Sequence, residues 1–147
     1  MWITRLKRYS KKYLCYRLEK DFERQLDLPD VKACRLSPHI DMQSGGKLTI
    51  RRGYTWNGCS PKLDIFGMVI GTPEGVLDEV RGVSKTYYPS LVHDVLYQLN
   101  TAFPEYIQRK QADVIFLQLM KENTFLARWL YYFVVRLFGR SAWIGKK

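Results

Sequence analysis

The chain has 147 residues, of which 46% are hydrophobic and 14% aromatic. This content suits one folded domain over residues 1–147 and excludes wholesale disorder. The formal charge of +10 is typical either of a soluble surface or of a protein with an anionic partner. Such a partner would be an acidic host protein, a lipid surface or, less favoured, nucleic acid. The three cysteines fit neither a CxxC nor a zinc spacing, and this favours reduced thiols in a cytoplasmic setting.

The first half of the chain is predicted to form a small antiparallel sheet. Residues 1–12 form a basic arm or helix, and residues 13–87 contain strands and a long loop. Leu48–Arg52 follows the turn signal Ser44-Gly45-Gly46, and Ala33–Met42, interrupted by Pro38, suits an edge strand. Residues 53–87 are rich in turn signals and are expected to form an ordered loop that includes at most one short helix.

Residues 88–139 are predicted to form three helices. The first runs from Pro89 to about Leu99, the second from about Glu105 to Asn123, and the third from about Phe125 to Phe138, with Gly139 as its stop. The third is apolar almost all round but too short to span a bilayer, so no transmembrane segment is expected. Its aromatic residues are expected to pack in the core rather than to form a lipid-facing belt: Trp129, Tyr131, Tyr132 and Phe133. The predicted fold class is therefore α+β, with a small antiparallel sheet in the N-terminal half and a three-helix layer in the C-terminal half.

The segment His93-Asp94-Val95-Leu96-Tyr97 puts an imidazole, a carboxylate and a phenol on one helical turn, away from the apolar stripe. This is either the solvent face of an amphipathic helix or a functional site. Asp113 lies in an apolar stripe of the second helix, and a buried carboxylate requires a partner. Arg109, four residues earlier, is the conservative partner. Arg128 and Arg136 also need partners if they are packed, and the candidates are Asp113 or a surface carboxylate.

His93 is the second candidate partner of Asp113. If the first two helices form an antiparallel hairpin that turns around residues 100–104, then His93 and Asp113 face each other. A carboxylate bonded to one imidazole nitrogen fixes the tautomer and leaves the other nitrogen free as a general base. Asp94 points to a different side of the helix and is a candidate ligand for a cation.

This arrangement resembles the active site of secreted phospholipases A2, in which a histidine, an aspartate and a tyrosine lie on one of two antiparallel helices. The resemblance implies that His93 is the base, that Asp94 binds calcium, and that Tyr97 and Asp113 support the histidine. Carbonyl oxygens of a supporting loop that includes Tyr54, Asn57, Gly58 and Ser60 would complete the metal shell. The dense disulfides and the glycine-rich calcium loop of those enzymes are not matched. Ser60 itself is more typical of a turn than of a nucleophile.

Four ordered motifs give a broader resemblance that covers roughly residues 13–143. They are Gly53-Tyr54-x-x-Asn57-Gly58-x-Ser60-Pro61, His93-Asp94-x-Leu96-Tyr97, Arg109-x-x-x-Asp113-x-x-Phe116 and Val135-Arg136-x-Phe138-Gly139. In this order they resemble an uncharacterised domain family of phages, prophages and bacteria, domain of unknown function 1353. The resemblance implies a phage-related origin, in the host cytoplasm or in the virion, and it implies no activity.

Two functions follow from these residues. The first is metal-assisted hydrolysis at the His-Asp centre, with a lipid ester as the first substrate class and calcium as the first cation to test. The second is a non-catalytic phage protein, either a virion component or an inhibitor that binds a host protein, in which the same residues form a structural polar network. Nucleic-acid binding through the basic arm ranks last. An open cleft beside Asp94 would favour the enzyme, whereas a closed and filled junction would favour the binding protein.

Overall fold

Small antiparallel sheets in the first half of the chain and three helices in the second half make an α+β fold, as the sequence predicts. The computed structural model describes residues 16–56, 63–65, 68–70, 77–78, 83–140 and 143. The predicted basic arm over residues 1–12 lies outside these ranges.

Short strands occupy most of the first half. The described ranges contain β1 Tyr16–Arg17, β2 Phe22–Gln25, β3 Cys34–Ser37, β4 Ile40–Met42, β5 Lys47–Ile50, β6 Thr55–Trp56, β7 Leu63–Ile65, β8 Met68–Ile70, β9 Leu77–Asp78 and β10 Val83–Ser84. The main sheet is antiparallel with the order β2-β5-β4-β3, and the remaining strands pair as β1 with β6, β7 with β8 and β9 with β10. Where residues 53–86 are described, they form short strands and turns in place of the long loop that the sequence predicts, and none of these described residues is helical.

The structure corrects the expectation of a single edge strand over Ala33–Met42. This segment forms two strands, β3 and β4, that pair with each other around a turn at Pro38 and His39. Proline has no backbone N–H to donate to a sheet, and in the turn none is needed. As a result β4 lies inside the sheet, and β3 forms one of its two edges. The predicted strand at Leu48–Arg52 is β5, displaced by one or two residues at each end.

The three helices are α1 Tyr87–Ala102, α2 Arg109–Glu122 and α3 Arg128–Phe138. α1 begins two residues before Pro89. The helix tolerates proline at this position because the N–H groups of the first turn have no acceptor within the helix, so no hydrogen bond is lost. α2 begins four residues later than expected. Glu105 has a φ of 66°, outside the helical region, and the Gln111 side chain accepts a hydrogen bond from the Gln108 backbone N–H at 2.8 Å. α3 ends at Phe138, directly before Gly139, as predicted.

The apolar stripe of α1 forms the centre of the core. Its five members are completely buried: Leu91, Val92, Val95, Leu96 and Leu99. They belong to one hydrophobic cluster with buried residues of β4 and β5 and with Ala112, Ile115 and Leu119 of α2. Each large side chain buried in this way contributes about 1.5–3 kcal/mol. This packing holds α1 and α2 side by side, joined by a connection of six residues, so that their polar residues can meet.

Trp129 and Phe133 of α3 are not core residues, and for these two the sequence prediction is wrong. Tyr131 is partly buried and packs against the cluster that contains Phe116 and Phe125. Only Val134 and Val135 of this helix are buried, whereas Trp129 is 53% exposed and Phe133 is 56% exposed. The helix therefore packs through one narrow stripe and presents an apolar face outward. Among the described residues, no helix combines the length and the hydrophobicity that crossing a membrane requires.

Candidate active site

The carboxylate of Asp113 is completely buried and joins all three helices. Its Oδ1 lies 2.8 Å from Nε2 of His93 and accepts a hydrogen bond from the Tyr97 hydroxyl at 2.7 Å. Its Oδ2 accepts a hydrogen bond from Nη1 of Arg136 at 2.8 Å. The contact between His93 and Asp113 that the helix hairpin predicts is confirmed. Arg136 of α3 supplies the cationic partner.

Arg109 does not pair with Asp113, so the conservative expectation of an intrahelical ion pair is wrong. Its guanidinium donates instead to the carbonyl oxygens of Val135, at 3.4 Å, and Arg136, at 3.2 Å. Carbonyl oxygens in the last turn of a helix carry partial negative charge, so a cation binds there favourably. The Val135 oxygen also accepts the Gly139 backbone N–H at 2.8 Å. Arg109 therefore holds the end of α3 from which Arg136 reaches Asp113.

The protonation state of the pair follows from its contacts. Burial alone would raise the pKa of Asp113, but hydrogen bonds from His93, Arg136 and Tyr97, together with the positive charge that His93 carries when protonated, hold that pKa below its usual value. The carboxylate is therefore ionised and can only accept hydrogen bonds, so Nε2 of His93 carries a proton. In a neutral imidazole the lone pair then lies on Nδ1.

Tyr97 and Phe116 enclose the imidazole of His93. The ring centroid of His93 lies 4.2 Å from that of Tyr97 and 4.7 Å from that of Phe116. Burial, and next the charge of Asp113, raise the pKa of Tyr97, so its hydroxyl stays protonated and donates. Only 1% of His93 is exposed. The orientation of this histidine is thus determined on every side that the described residues reach.

Asp94 belongs to a second polar cluster at the other side of α1. Its Oδ2 accepts hydrogen bonds from the Tyr54 hydroxyl at 2.7 Å and from Nε2 of Gln98 at 2.8 Å. Nε2 of Gln98 also lies 2.8 Å from the Tyr54 hydroxyl. Burial raises the pKa of Asp94, against the effect of these hydrogen bonds. Asp94 thus lies away from Asp113, as the helical spacing predicts, but it contacts neutral partners.

A glycine completes the packing around the Asp113 cluster. A Cβ atom built on Gly139 would lie 2.8 Å from the Tyr97 hydroxyl oxygen and would also clash with the Val135 carbonyl oxygen. A side chain at this position would therefore displace the hydroxyl that donates to Asp113. The motif Val135-Arg136-x-Phe138-Gly139 thus reaches the site twice, through Arg136 and through Gly139.

Sequence reasoning found most of the residues that meet here and missed Gln98. Of the predicted supporting loop, Tyr54 contacts Asp94, whereas Asn57, Gly58 and Ser60 lie outside the described residues. Gln98 stands four residues after Asp94, a spacing that places two side chains on one helix face and that would have identified it. Gly139 was assigned only as a helix stop, because its contact with Tyr97 depends on packing between helices.

Three comparisons with known proteins were made, against family models, curated proteins and solved structures, and no significant match to this chain was found. The resemblances drawn from the motifs therefore stay predictions.

Proposed function

We propose that the chain is a hydrolase in which His93 activates water, with lipid esters as the first substrate class to test. One observation carries the proposal: Nε2 of His93 lies 2.8 Å from the buried, ionised carboxylate of Asp113. Nδ1 is then the ring nitrogen that can accept a proton. Arg136 and Tyr97 support this role because they keep Asp113 ionised and in place.

In the proposed reaction, Nδ1 of His93 takes a proton from water while the water oxygen bonds to the carbonyl carbon of the ester. The carbonyl electron pair moves to oxygen and gives a tetrahedral oxyanion. When this species collapses, the bond to the alcohol oxygen breaks, and that oxygen receives the proton from Nδ1. The products are a carboxylic acid and an alcohol, and Asp113 stays ionised throughout. General-base catalysis of this kind contributes about 10²–10⁴-fold to the rate.

Lipid esters come first because four residues are arranged in the way that the resemblance to secreted phospholipases A2 implies. His93, Asp94 and Tyr97 lie on α1, and Asp113 faces His93 from α2. Tyr97 donates to the same carboxylate oxygen that contacts the imidazole.

The calcium ion that this resemblance implies does not fit the described residues by themselves. Calcium takes about six to eight oxygen ligands, several of them carboxylates. Asp94 is the one carboxylate of its cluster, and its Oδ2 already accepts two hydrogen bonds. The described residues contain no group of three or more His, Cys, Asp or Glu that could hold a metal ion. The proposed reaction therefore uses no metal step, and the assay with calcium or with a chelator tests for calcium dependence.

The burial of the cluster favours a second candidate function, the non-catalytic binding protein. His93 is 1% exposed and Asp113 is completely buried, so the imidazole contacts protein rather than solvent. A described groove beside the connection from α1 to α2 is lined by Ile107, Arg109 and Trp143 and does not reach His93. In this interpretation the same hydrogen bonds fasten three helices together, and the function lies on the surface.

The two candidates are distinguished by His93→Gln, which keeps an amide able to donate to Asp113 but removes the base. The full chain and the variant are incubated with vesicles of phosphatidylglycerol and phosphatidylcholine, with calcium or with a chelator, and released fatty acid is measured by mass spectrometry. The hydrolase should lose about 10²-fold or more of its rate on this substitution. The matched control is His39→Gln, at the partly buried second histidine in the turn between β3 and β4, which should keep its rate.

Three results of these measurements would contradict the hydrolase proposal. If the parent chain releases no fatty acid in either condition, lipid-ester hydrolysis is wrong. If His93→Gln retains the parent rate, His93 is not the base. If there is no turnover and His93→Ala lowers the free energy of unfolding by about 1–3 kcal/mol, the residues form a structural network of a binding protein.

A further inference from the structure

The outer face of α3 carries most of the exposed large hydrophobic side chains in the described residues. Six of the eight lie between residues 126 and 138, and the other two are Phe103 and Val114. We call these six the α3 apolar face: Leu126, Trp129, Leu130, Phe133, Leu137 and Phe138. Leu126 is 89% exposed and Leu137 is 73% exposed. Leu126 lies just before α3, and within the helix the spacing of 129, 130, 133 and 137 forms one continuous stripe.

Such a face needs an occupant, because a contiguous apolar surface of this kind marks an interaction site. The helix buries only Val134 and Val135, so the residues that the structure describes leave the stripe exposed. Within α3 the face runs from Trp129 to Phe138, which is nine residue steps or about 13.5 Å at 1.5 Å per residue. A bilayer-spanning helix needs about 20 apolar residues, so this length suits a helix that lies in the plane of a surface.

The charge of the chain identifies the occupant. Residues 14–122 contain 14 basic and 14 acidic side chains, so the whole net charge of +10 comes from residues 1–13 and 123–147. No acidic residue follows Glu122, whereas five basic residues do. Glu122 itself forms an ion pair with Arg24. Arg136 is paired with the buried Asp113, so the other four basic residues after Glu122 give this part of the chain its excess positive charge.

A basic residue also lies at or near each end of α3. Arg128 is the first residue of α3, and the exposed Arg140 follows its end by two residues. Tyr132 lies next to Trp129, with ring centroids 6.1 Å apart. Aromatic rings with a polar atom favour the boundary between lipid headgroups and acyl chains, and arginine binds phosphate.

We propose that α3 is a membrane-surface helix that inserts its apolar face among the acyl chains of an anionic bilayer, with its basic residues at the headgroup phosphates. A helix suits this position because its backbone N–H and C=O groups are already bonded internally. The occupant is anionic lipid rather than a protein partner, since the chain has only basic charges after Glu122 and since Arg128 and Arg140 lie at the two ends of the helix, where they complement phosphate. It is independent of the hydrolysis proposed above.

The test measures binding of the full chain to vesicles by cosedimentation and uses ether-linked lipids, which an esterase cannot cleave. Vesicles of phosphatidylglycerol and phosphatidylcholine are compared with phosphatidylcholine alone, at low and high salt. The variant Leu130→Ser/Phe133→Ser/Leu137→Ser removes the centre of the α3 apolar face. Phe103→Ser, an exposed aromatic residue outside α3, is the matched control. Circular dichroism checks that both variants remain folded.

The parent chain and Phe103→Ser should bind the anionic vesicles, and salt should weaken this binding. The triple variant should lose about tenfold or more of its partition coefficient, because three large apolar side chains no longer enter the lipid. A second substitution, Arg140→Gln, should weaken binding to anionic vesicles without affecting the fold.

Four results would overturn the proposal. The parent chain fails to bind anionic vesicles, or it binds neutral vesicles equally well. The folded triple variant binds as the parent does, which would place the contact elsewhere on the chain. Analytical ultracentrifugation finds a dimer that the triple variant abolishes and that does not bind vesicles, which would make a second copy of the chain the occupant.

Discussion

Replacing Asp113 tests the packing of the three helices most directly. Asp113→Ala leaves three donors without their acceptor. Two of these, on His93 and Tyr97, are 1% and 6% exposed, so water does not easily replace the carboxylate. Each unsatisfied buried donor costs about 1–3 kcal/mol. The Arg136 side chain is 30% exposed and can turn partly to solvent. We therefore expect the free energy of unfolding to fall by about 3–5 kcal/mol.

Chemical denaturation at neutral pH, followed by far-ultraviolet circular dichroism, measures this loss. A domain of this kind has about 5–15 kcal/mol of stability, so the variant should remain folded enough to measure. Asp113→Asn should lose less, about 1–3 kcal/mol, because its amide oxygen still accepts a hydrogen bond. Asp41→Ala removes a partly exposed carboxylate that pairs with Arg51 in the sheet, and it is the matched control. If Asp113→Ala loses no more stability than Asp41→Ala, the buried hydrogen bonds do not hold the helices and the reasoning is wrong.

Three further predictions concern the same two clusters. The folded pKa of Asp113 is lowered, so its contribution to stability is present above the unfolded value of about 3.9 and is lost as the pH falls through the folded pKa. An acid titration followed by circular dichroism should therefore show a weaker pH dependence for Asp113→Asn than for the parent chain, and equal curves would contradict the assignment. Burial raises the pKa of Asp94, so its ionised form costs stability at neutral pH. Asp94→Asn, which keeps an oxygen acceptor, should have a Tm equal to or above that of the parent, and a clear decrease would show that the charge is needed. Gly139→Ala should lose about 1–3 kcal/mol in urea unfolding, because its methyl group would press on the Tyr97 hydroxyl; an unchanged midpoint would exclude this contact.

The helix pair and the meeting of His93 with Asp113 were predictable from the sequence. The apolar spacing of α1 determines which side faces the core, and a short connection between two helices makes them antiparallel neighbours. An acid in an apolar stripe requires a buried partner, which narrowed the choice to the few polar residues that the hairpin brings near.

The choice between competing partners was not predictable in this way. Arg109 and Arg136 both carry a guanidinium group that local spacing or packing could bring to Asp113. In the structure Arg109 binds carbonyl oxygens at the end of α3, and Arg136 takes the carboxylate. This choice of partners depends on how α3 packs against α2. The spacing of residues within one helix gives no information about that packing. The same is true of Gly139, whose contact with Tyr97 lies forty-two positions away along the chain.

The outward face of α3 is another feature that the sequence did not predict. Its composition predicted a core helix, because hydrophobic residues surround almost the whole axis. Only the tertiary structure decided that one narrow stripe is buried and that Trp129 and Phe133 face outward. By itself the sequence determined which residues must leave water and which acid must find a partner, since these are properties of side chains and their spacing. Which apolar side chains become buried depends on how much of their surface the neighbouring elements cover. That coverage is decided only when the whole chain is packed.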